Sequence, residues 1–584
     1  MTVSKPVLIL ALICCAAGAA AAVELVPISE GPIVAGQVIE WTVRGFENDE
    51  ITTDVSQLPV LVIEQDGTRH KRRCFVYRAY RPSTDPADDT LEYAPIAPLE
   101  LRVRHVFPRA GAASCALRSA DERRRLTRVE VTIEAGTHHG PIHLSPHNPR
   151  LLAHADGTPF IPIGCNICWA VSPERLRGMR LFLDALAANG GNHFRFWCSS
   201  WFTQIEGEAN DVYRLDHAWA LDQVLRMARE RGLYVTLVLD NAHDLREGTG
   251  FPYGANTEER IGRFLRVPLD PAYQRRLNYL VARYGHDDTI MAWELFNELD
   301  EALIGQPKPA DMQDELRVVT EWTDAASEYL ASIDQDARLC TVSIASQPWE
   351  AIFTAEHIDL LHSHTYIPMG NAAAAQHADG VGLLLGKRAM LADFGKPFRF
   401  AETGHHGTNE KNPGNEADRD GILLRHQAWA GLLCGGYGSA MNWWWDTYIE
   451  PNELWAIYAP LRTAVDFIDW RDPELVPITP NEGSSLRVIG WRSPSQAMLW
   501  PNVRRDTWHQ RVIEGTARPV YRGRGPVIKV PRLSPNRDFE LLILDMRDGS
   551  ERTRVNVVST ENGSALVELP VDCGDVVILL RARD

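Results

Sequence analysis

From His143 to about Leu475 the chain repeats one unit eight times: an apolar strand, then an amphipathic helix or a long connection. The strands read "TPFIPIGCNICW", "GNHFRFWCS", "LYVTLVLDNAHD", "IMAWELFNE", "RLCTVSIAS", "DLLHSHTY", "PFRFAETGHH" and "GSAMNWWWD". The first helix, "SPERLRGMRLFLDALAANGG", has a Ser-Pro start and a Gly stop, and helices after the last three strands begin near Gln376, Gly421 and Asn452. Strands that are apolar throughout are buried on both faces, and helical crossovers make successive strands parallel. Eight such units predict an α/β fold, a (β/α)8 TIM barrel over residues 143–475.

The flanks follow a different period. Residues 23–142 hold short alternating stretches such as "GQVIEWTVRG" and "TRVEVTIEAG", with turn residues between them and no helical period. They predict an N-terminal β-sandwich of immunoglobulin-like type. After the Pro-rich "DPELVPITPNEG", residues 476–584 return to short strands and predict a C-terminal β-sandwich. Residues 1–22 read as a signal peptide, with Lys5, a short apolar run and an Ala-rich end, which implies a secreted or periplasmic protein. Cys14 and Cys15 follow Ile13 and Cys14 instead of a small residue, which argues against a lipid anchor, and no stretch is long and apolar enough for a membrane span.

Eight cysteines follow the leader, too few to form a disulfide framework. Cys165-x-x-Cys168 lacks a partner pair and reads as small apolar side chains in a strand, whereas Cys74 and Cys115 are candidates for a bridge within the first domain. The 77 acidic against 60 basic residues disfavour nucleic acid as a partner and suit a neutral ligand.

Catalytic groups of such a barrel come from the C-terminal ends of different strands. Here those ends carry Arg195 on the second strand, Asp240 and His243 after the third, and Asn297 and Glu298 on the fourth. His364 and Tyr366 end the sixth, Glu402 the seventh, and Trp443 to Trp445 the eighth. Two carboxyls, an Arg, several His and a Trp cluster at one mouth suit glycoside cleavage: one carboxyl protonates the leaving oxygen and the other attacks the anomeric carbon. An Arg and a Tyr beside Glu402 would keep it ionised, and a less polar setting would keep Glu298 protonated. Trp rings offer apolar faces to the C–H groups of sugars.

"WELFNE", followed about a hundred residues later by "FAETG", resembles the clan A glycoside hydrolases, and most of all the cellulase and mannanase family five group. The resemblance spans the barrel, including the lead-in "YLVARYGHDDTI" with Arg283-Tyr284-Gly285. It implies Glu298 as acid/base and Glu402 as nucleophile, with Arg195, His243, Asn297, His364, Tyr366 and a Trp of the eighth strand around the sugar. That strand carries three Trp in place of one; by alternation Trp443 and Trp445 share a face, and they are taken as the sugar platform. The expectation is a retaining hydrolase of a β-linked polysaccharide or oligosaccharide, of β-mannan or β-glucan type, needing no cofactor or metal. An exo-acting β-mannosidase or β-xylosidase is the alternative within enzymes. A non-catalytic carbohydrate-binding protein would have lost a catalytic carboxyl, and both are present.

Other residues have plainer readings. Glu294 lies on the face of Glu298 and reads as a buried structural carboxylate paired to Arg195. Asp300 and Glu301 read as a solvated loop. Asp240 divides evenly between a site role and a cap. Trp201 and Tyr253 are placed at the cleft or in a satellite cluster. His405 and His406 lack the helical spacing of a zinc pair. The polar loop "TGHHGTNEKNPGNEADRD" after Glu402 is placed to close over or narrow the site. There is no Gly-x-Ser-x-Gly elbow, no Gly-Lys-Ser/Thr phosphate loop and no HExxH.

Overall fold

The computed structural model describes residues 22–28, 31–47, 50–82, 93–170, 175–207, 209–246, 263–303, 312–345, 349–367, 379–408, 411–478 and 485–583. The leader (apart from Ala22) and Tyr253 lie outside the described residues.

The centre is one six-stranded parallel sheet, His193–Trp197, Tyr234–Val238, Ile290–Glu294, Leu339–Ile344, Leu360–Ile367 and Phe398–His405, paired in chain order. Helices Leu215–Glu230, Pro271–Tyr284, Met312–Ile333 and Gly380–Leu391 lie in the crossovers, while among the described residues of the connection after Ile344 there is only the short turn Trp349–Thr354. All five residues of Ile290–Glu294 are buried, as continuous apolar strands between helix layers require.

The first and last strands of the predicted series are not regular strands. Pro159–Phe160 pairs instead into a small sheet with Ile142–Leu144 and Leu152–His154. Beyond it the chain is extended but makes a single ladder bridge, Asn166 with Arg195. Pro162 has no N–H to donate, and side chains replace the ladder: Ile163 N donates to Asn192 Oδ1 at 2.7 Å and Gly164 N to Ser439 Oγ at 3.1 Å. Gly164 is obligatory, because a Cβ there would lie 1.8 Å from the His193 carbonyl oxygen. At the other edge Asn442 bridges Thr403, and the chain then turns helical at Trp445–Ile449. Asn166 N donates to Asn442 O at 3.0 Å, so the two segments meet and join the edges of the sheet. Helix Ile422–Leu433 precedes this edge segment and Tyr458–Phe467 follows it, the latter later than the expected start near Asn452 because Leu454–Ile457 forms its own turn first.

The N-terminal strands form a four-stranded and a five-stranded sheet. Their inward residues Trp41, Leu61, Ile63, Val103, Cys115 and Leu117 share one apolar core with the central sheet. Arg283, from the lead-in noted above, is fully buried: it pairs with Asp222 at 2.6 Å and stacks on Tyr77, and Asp222 also holds Arg104 at 2.7 Å. Each guanidinium thereby has an opposite charge inside the protein, the condition for tolerating burial.

The C-terminal region is a six-stranded sheet with a separate two-stranded pair. One face of Gln496–Val503 sends Met498 and Trp500 into the main core; the other sends Ala497 and Leu499 into a core of its own. Polar contacts seal the joint. Trp491 Nε1 donates to Leu432 O at 2.8 Å, and His426 sits 2.8 Å from Asp575. Arg487 pairs with Asp379, which also caps the helix Gly380–Leu391. Trp491→Ala is expected to cost about 3–5 kcal/mol in urea unfolding, the usual size for removing a buried indole.

All eight cysteines after the leader are buried free thiols, so the expected Cys74–Cys115 bridge is not formed. No helix among the described residues is long and apolar enough to cross a membrane.

Candidate active site

The strand Ile290–Glu294 continues past its ladder. Asn297 N donates to Asp240 O at 2.8 Å, and at Glu298 the backbone enters the left-handed region with φ +52°. A side chain there costs about 1 kcal/mol, and such strain is retained where it aims a functional group. The Glu298 N–H donates to Ser343 Oγ at 2.9 Å, which fixes the turn. The Glu298 side chain remains a quarter exposed, whereas that of Glu402 is 5% exposed. An oxygen of each, with a ring nitrogen of His364, lies within 4.8 Å of the others.

Glu402 is bound on both oxygens. Arg195 Nη1 donates to Oε1 at 2.7 Å and the Tyr366 hydroxyl to Oε2 at 2.6 Å. His364 Nδ1 stands between the two carboxyls, 2.7 Å from Glu298 Oε1 and 3.3 Å from Glu402 Oε2. Burial pushes the His364 imidazole down to about 4, so it is neutral near pH 7 and donates as an uncharged N–H. Arg195 Nη2 reaches Asn297 Oδ1 at 2.6 Å, which orients the amide beside the acid.

Arg195 and Tyr366 do bind Glu402 as expected, yet the net shift runs the other way. Burial pushes its carboxyl above the usual carboxylate range and the nearby Glu298 adds to this, against His364, Arg195 and Tyr366. Removal from water outweighs the donors. For Glu294 burial also pushes upward, but the Arg195 charge and its hydrogen bonds win and hold the carboxyl well below the usual range. Glu294 is paired to Arg195 at 2.6 Å, as expected.

Aromatic rings line one side. Trp443 is partly exposed and packs on Trp197 at 5.2 Å and on Trp169 at 5.5 Å; Trp169 in turn meets the partly exposed Trp201 at 4.8 Å. His243 lies 4.5 Å from Trp201, on this wall. Trp445 does not share the platform. It is 1% exposed, its ring packs at 4.9 Å on Trp169, and its Nε1 donates to Trp169 O. The alternation that grouped it with Trp443 ends where the helical turn begins.

Asp240 is structural: it pairs with Arg276 at 2.5 Å, both fully buried. Asp300 is no solvated residue. It is 1% exposed and accepts from Ala345 N at 2.9 Å. His405 is buried with Trp508 of the C-terminal region against it at 4.4 Å, and His406 meets Tyr366 edge-on at 6.3 Å. Among the described residues the one group of His, Cys, Asp and Glu spaced for a metal ion is Glu298, His364 and Glu402 itself. Asn166, Ser343, Trp169 and Trp197 also touch this network. Nothing in their sequence context separates them from core residues, apart from Trp169 and Trp197 closing their strands.

No protein-family model matches the chain. It is 25% identical over 199 residues to mannan endo-1,4-beta-mannosidase A of Podospora anserina, covering 31% of this chain and 49% of that protein. It is 22% identical over 197 residues to a probable mannan endo-1,4-beta-mannosidase A of Aspergillus oryzae, covering 32% and 48%. The chain thus spans about half the length of these relatives. A putative glycoside hydrolase from Bacteroides vulgatus superposes with a TM-score of 0.64 at 13% identity, over 95% of this chain and all of that one. A family 5 glycoside hydrolase from the same organism gives 0.51 at 15% identity, over 76% and 94%. The fold is thus that of solved glycoside hydrolases, and about a third of the sequence is similar to mannan endo-1,4-beta-mannosidases.

Proposed function

We propose that this chain is a retaining β-glycoside hydrolase acting on a β-mannan or β-glucan type substrate, with Glu298 as acid/base and Glu402 as nucleophile. The observation that carries the reading is the carboxyl pair: oxygens within 4.8 Å, one carboxyl bound by Arg195 and Tyr366, the other partly exposed. A separation near 5 Å suits retention, since inversion needs room for a water between the groups. The mannan relatives favour mannan among the substrates.

Two carboxyls this close resist joint ionisation and share one proton near neutral pH. The reaction needs that proton on Glu298; Arg195 and Tyr366, which donate to the two oxygens of Glu402, work against the upward push of burial and help leave the charge there. Glu402 attacks the anomeric carbon as the glycosidic C–O bond breaks, and Glu298 gives its proton to the departing oxygen. A glycosyl ester of Glu402 results. Water then attacks the same carbon, loses a proton to the Glu298 carboxylate, and frees Glu402. The sugar leaves with its original β configuration.

On this reading the central sheet and its two bridging segments form a (β/α)8 barrel at 143–475, flanked by β-sandwich domains at 23–142 and 476–584 that brace it. The leader at 1–22 would make the enzyme secreted or periplasmic.

The test is hydrolysis of mannan, glucan, xylan and matching aryl β-glycosides. Activity on one of them supports the reading; retention on a polysaccharide without hydrolysis of any would overturn it. Trp443→Ala is expected to raise KM about tenfold with a smaller change in kcat, the size of one lost aromatic contact.

A further inference from the structure

Below the carboxyl pair lies a second tier of charge that reaches no substrate. Arg195 is fully buried and clamped by Glu294, from Nε at 2.8 Å and from Nη2 at 2.6 Å. Its Nη1 alone is left for Glu402, with a longer contact to Asn166 Oδ1 at 3.3 Å. Glu294 is itself fully buried, and His362 Nδ1 lies 3.1 Å from its Oε2. The far nitrogen of His362 is 2.6 Å from the Tyr437 hydroxyl, whose ring lies under Arg399. The charged and titratable groups facing this tier include Arg195, His362, His364, Tyr437, Arg399, Cys340 and, beside Arg195, Cys168 and Glu402.

This arrangement decides what Arg195 does to its upper neighbour. An unopposed guanidinium in direct contact with a buried carboxylate binds the negative charge tightly and makes it a weak nucleophile. Here Glu294 supplies a fixed negative charge on the opposite side of the same guanidinium. Arg195 and Glu294 together are nearly neutral, so Glu402 receives an oriented hydrogen bond and only a residual field.

We propose that Glu294 is a positioning residue that sets the reactivity of Glu402 through Arg195, by clamping the guanidinium and cancelling its charge. The inference rests on the hydrolase reading above. It assigns a role in the chemistry to a buried side chain that touches neither sugar nor reacting atoms.

The experiment compares wild type, Glu294→Gln and Glu294→Asp. Gln keeps an oxygen for Arg195 but removes the charge; Asp keeps the charge on a shorter arm. The acid limb of kcat/KM reports the free-enzyme nucleophile. Without the Glu294 charge the Glu402 anion becomes more stable, so the limb moves to lower pH, by about one unit for a lost neighbouring charge. kcat falls as Glu402 becomes less basic. Glu294→Asp is expected to keep the limb in place even where kcat drops. An unmoved limb in Glu294→Gln, or an equal shift in Glu294→Asp, would overturn the proposal. Infrared difference titration of Glu402, taken against matched Glu402→Gln proteins without substrate, reads the same shift in a variant that no longer turns over. That titration keeps the two readings apart: wild type without hydrolysis on any glycan sinks the hydrolase reading, while an unshifted Glu402 band in Glu294→Gln sinks this one.

Discussion

Glu402→Gln is expected to lose hydrolysis of every substrate by about five orders of magnitude, as for other covalent nucleophiles removed singly. The amide has the shape of the carboxyl and can keep the Tyr366 and Arg195 contacts, but it carries no charge to attack the anomeric carbon. Its fold should persist, since the site is enclosed by Arg195, Tyr366 and His364, not held up by Glu402 alone. A smaller side chain gives a sharper outcome. With Glu402→Gly and a dinitrophenyl β-glycoside, added azide fills the vacated space below the ring and displaces the phenolate. The product is then the α-glycosyl azide. Rate restoration by azide and the anomer formed are read together by nuclear magnetic resonance, and a β-azide from this variant would mean that the nucleophile had been misassigned.

Glu298→Ala should behave differently because it removes proton transfer and spares attack. Hydrolysis of natural glycans is expected to fall by about three orders of magnitude, within the range for general acid catalysis. Attack on a dinitrophenyl glycoside, whose leaving group needs no proton, should be little changed. The basic limb of the kcat/KM profile, which reports loss of the Glu298 proton, should disappear for that substrate. Azide now enters from the face that water uses and gives the β-glycosyl azide. If natural and dinitrophenyl substrates slowed by the same factor, Glu298 would not be the acid.

The parallel core and most of the site were readable because period and position carry the information. Uninterrupted apolar runs ending in Arg195, Asn297-Glu298, His364-x-Tyr366 and Glu402 put those groups at one sheet end whatever the helices do. Glu294 was readable for the same reason, since alternation sets it on the face of Glu298 and therefore over Arg195. The errors arise where a local pattern stops. Alternation groups Trp445 with Trp443 only if the strand continues, and the chain turns helical there instead. Pro162 and the close approach at Gly164 remove the ladder from the first segment, although its apolar run looks like any other. Asp300 has the composition of a loop residue but is drawn inward by Ala345 N, a contact across segments that no local window contains. The C-terminal strands alternate too weakly to show that Gln496–Val503 is buried on both faces, one of them against the central core.

The central claim is a covalent glycosyl ester on Glu402. Its most direct test is a dinitrophenyl β-mannoside, and the matching glucoside, carrying fluorine beside the anomeric carbon. Fluorine slows hydrolysis of the ester, and the good leaving group lets it form. After incubation and proteolysis, mass spectrometry should find the fluorosugar on the peptide that carries Glu402, with time-dependent loss of activity and one label per chain. Label on Glu298, or no label from an enzyme that hydrolyses the parent glycoside, would contradict the account.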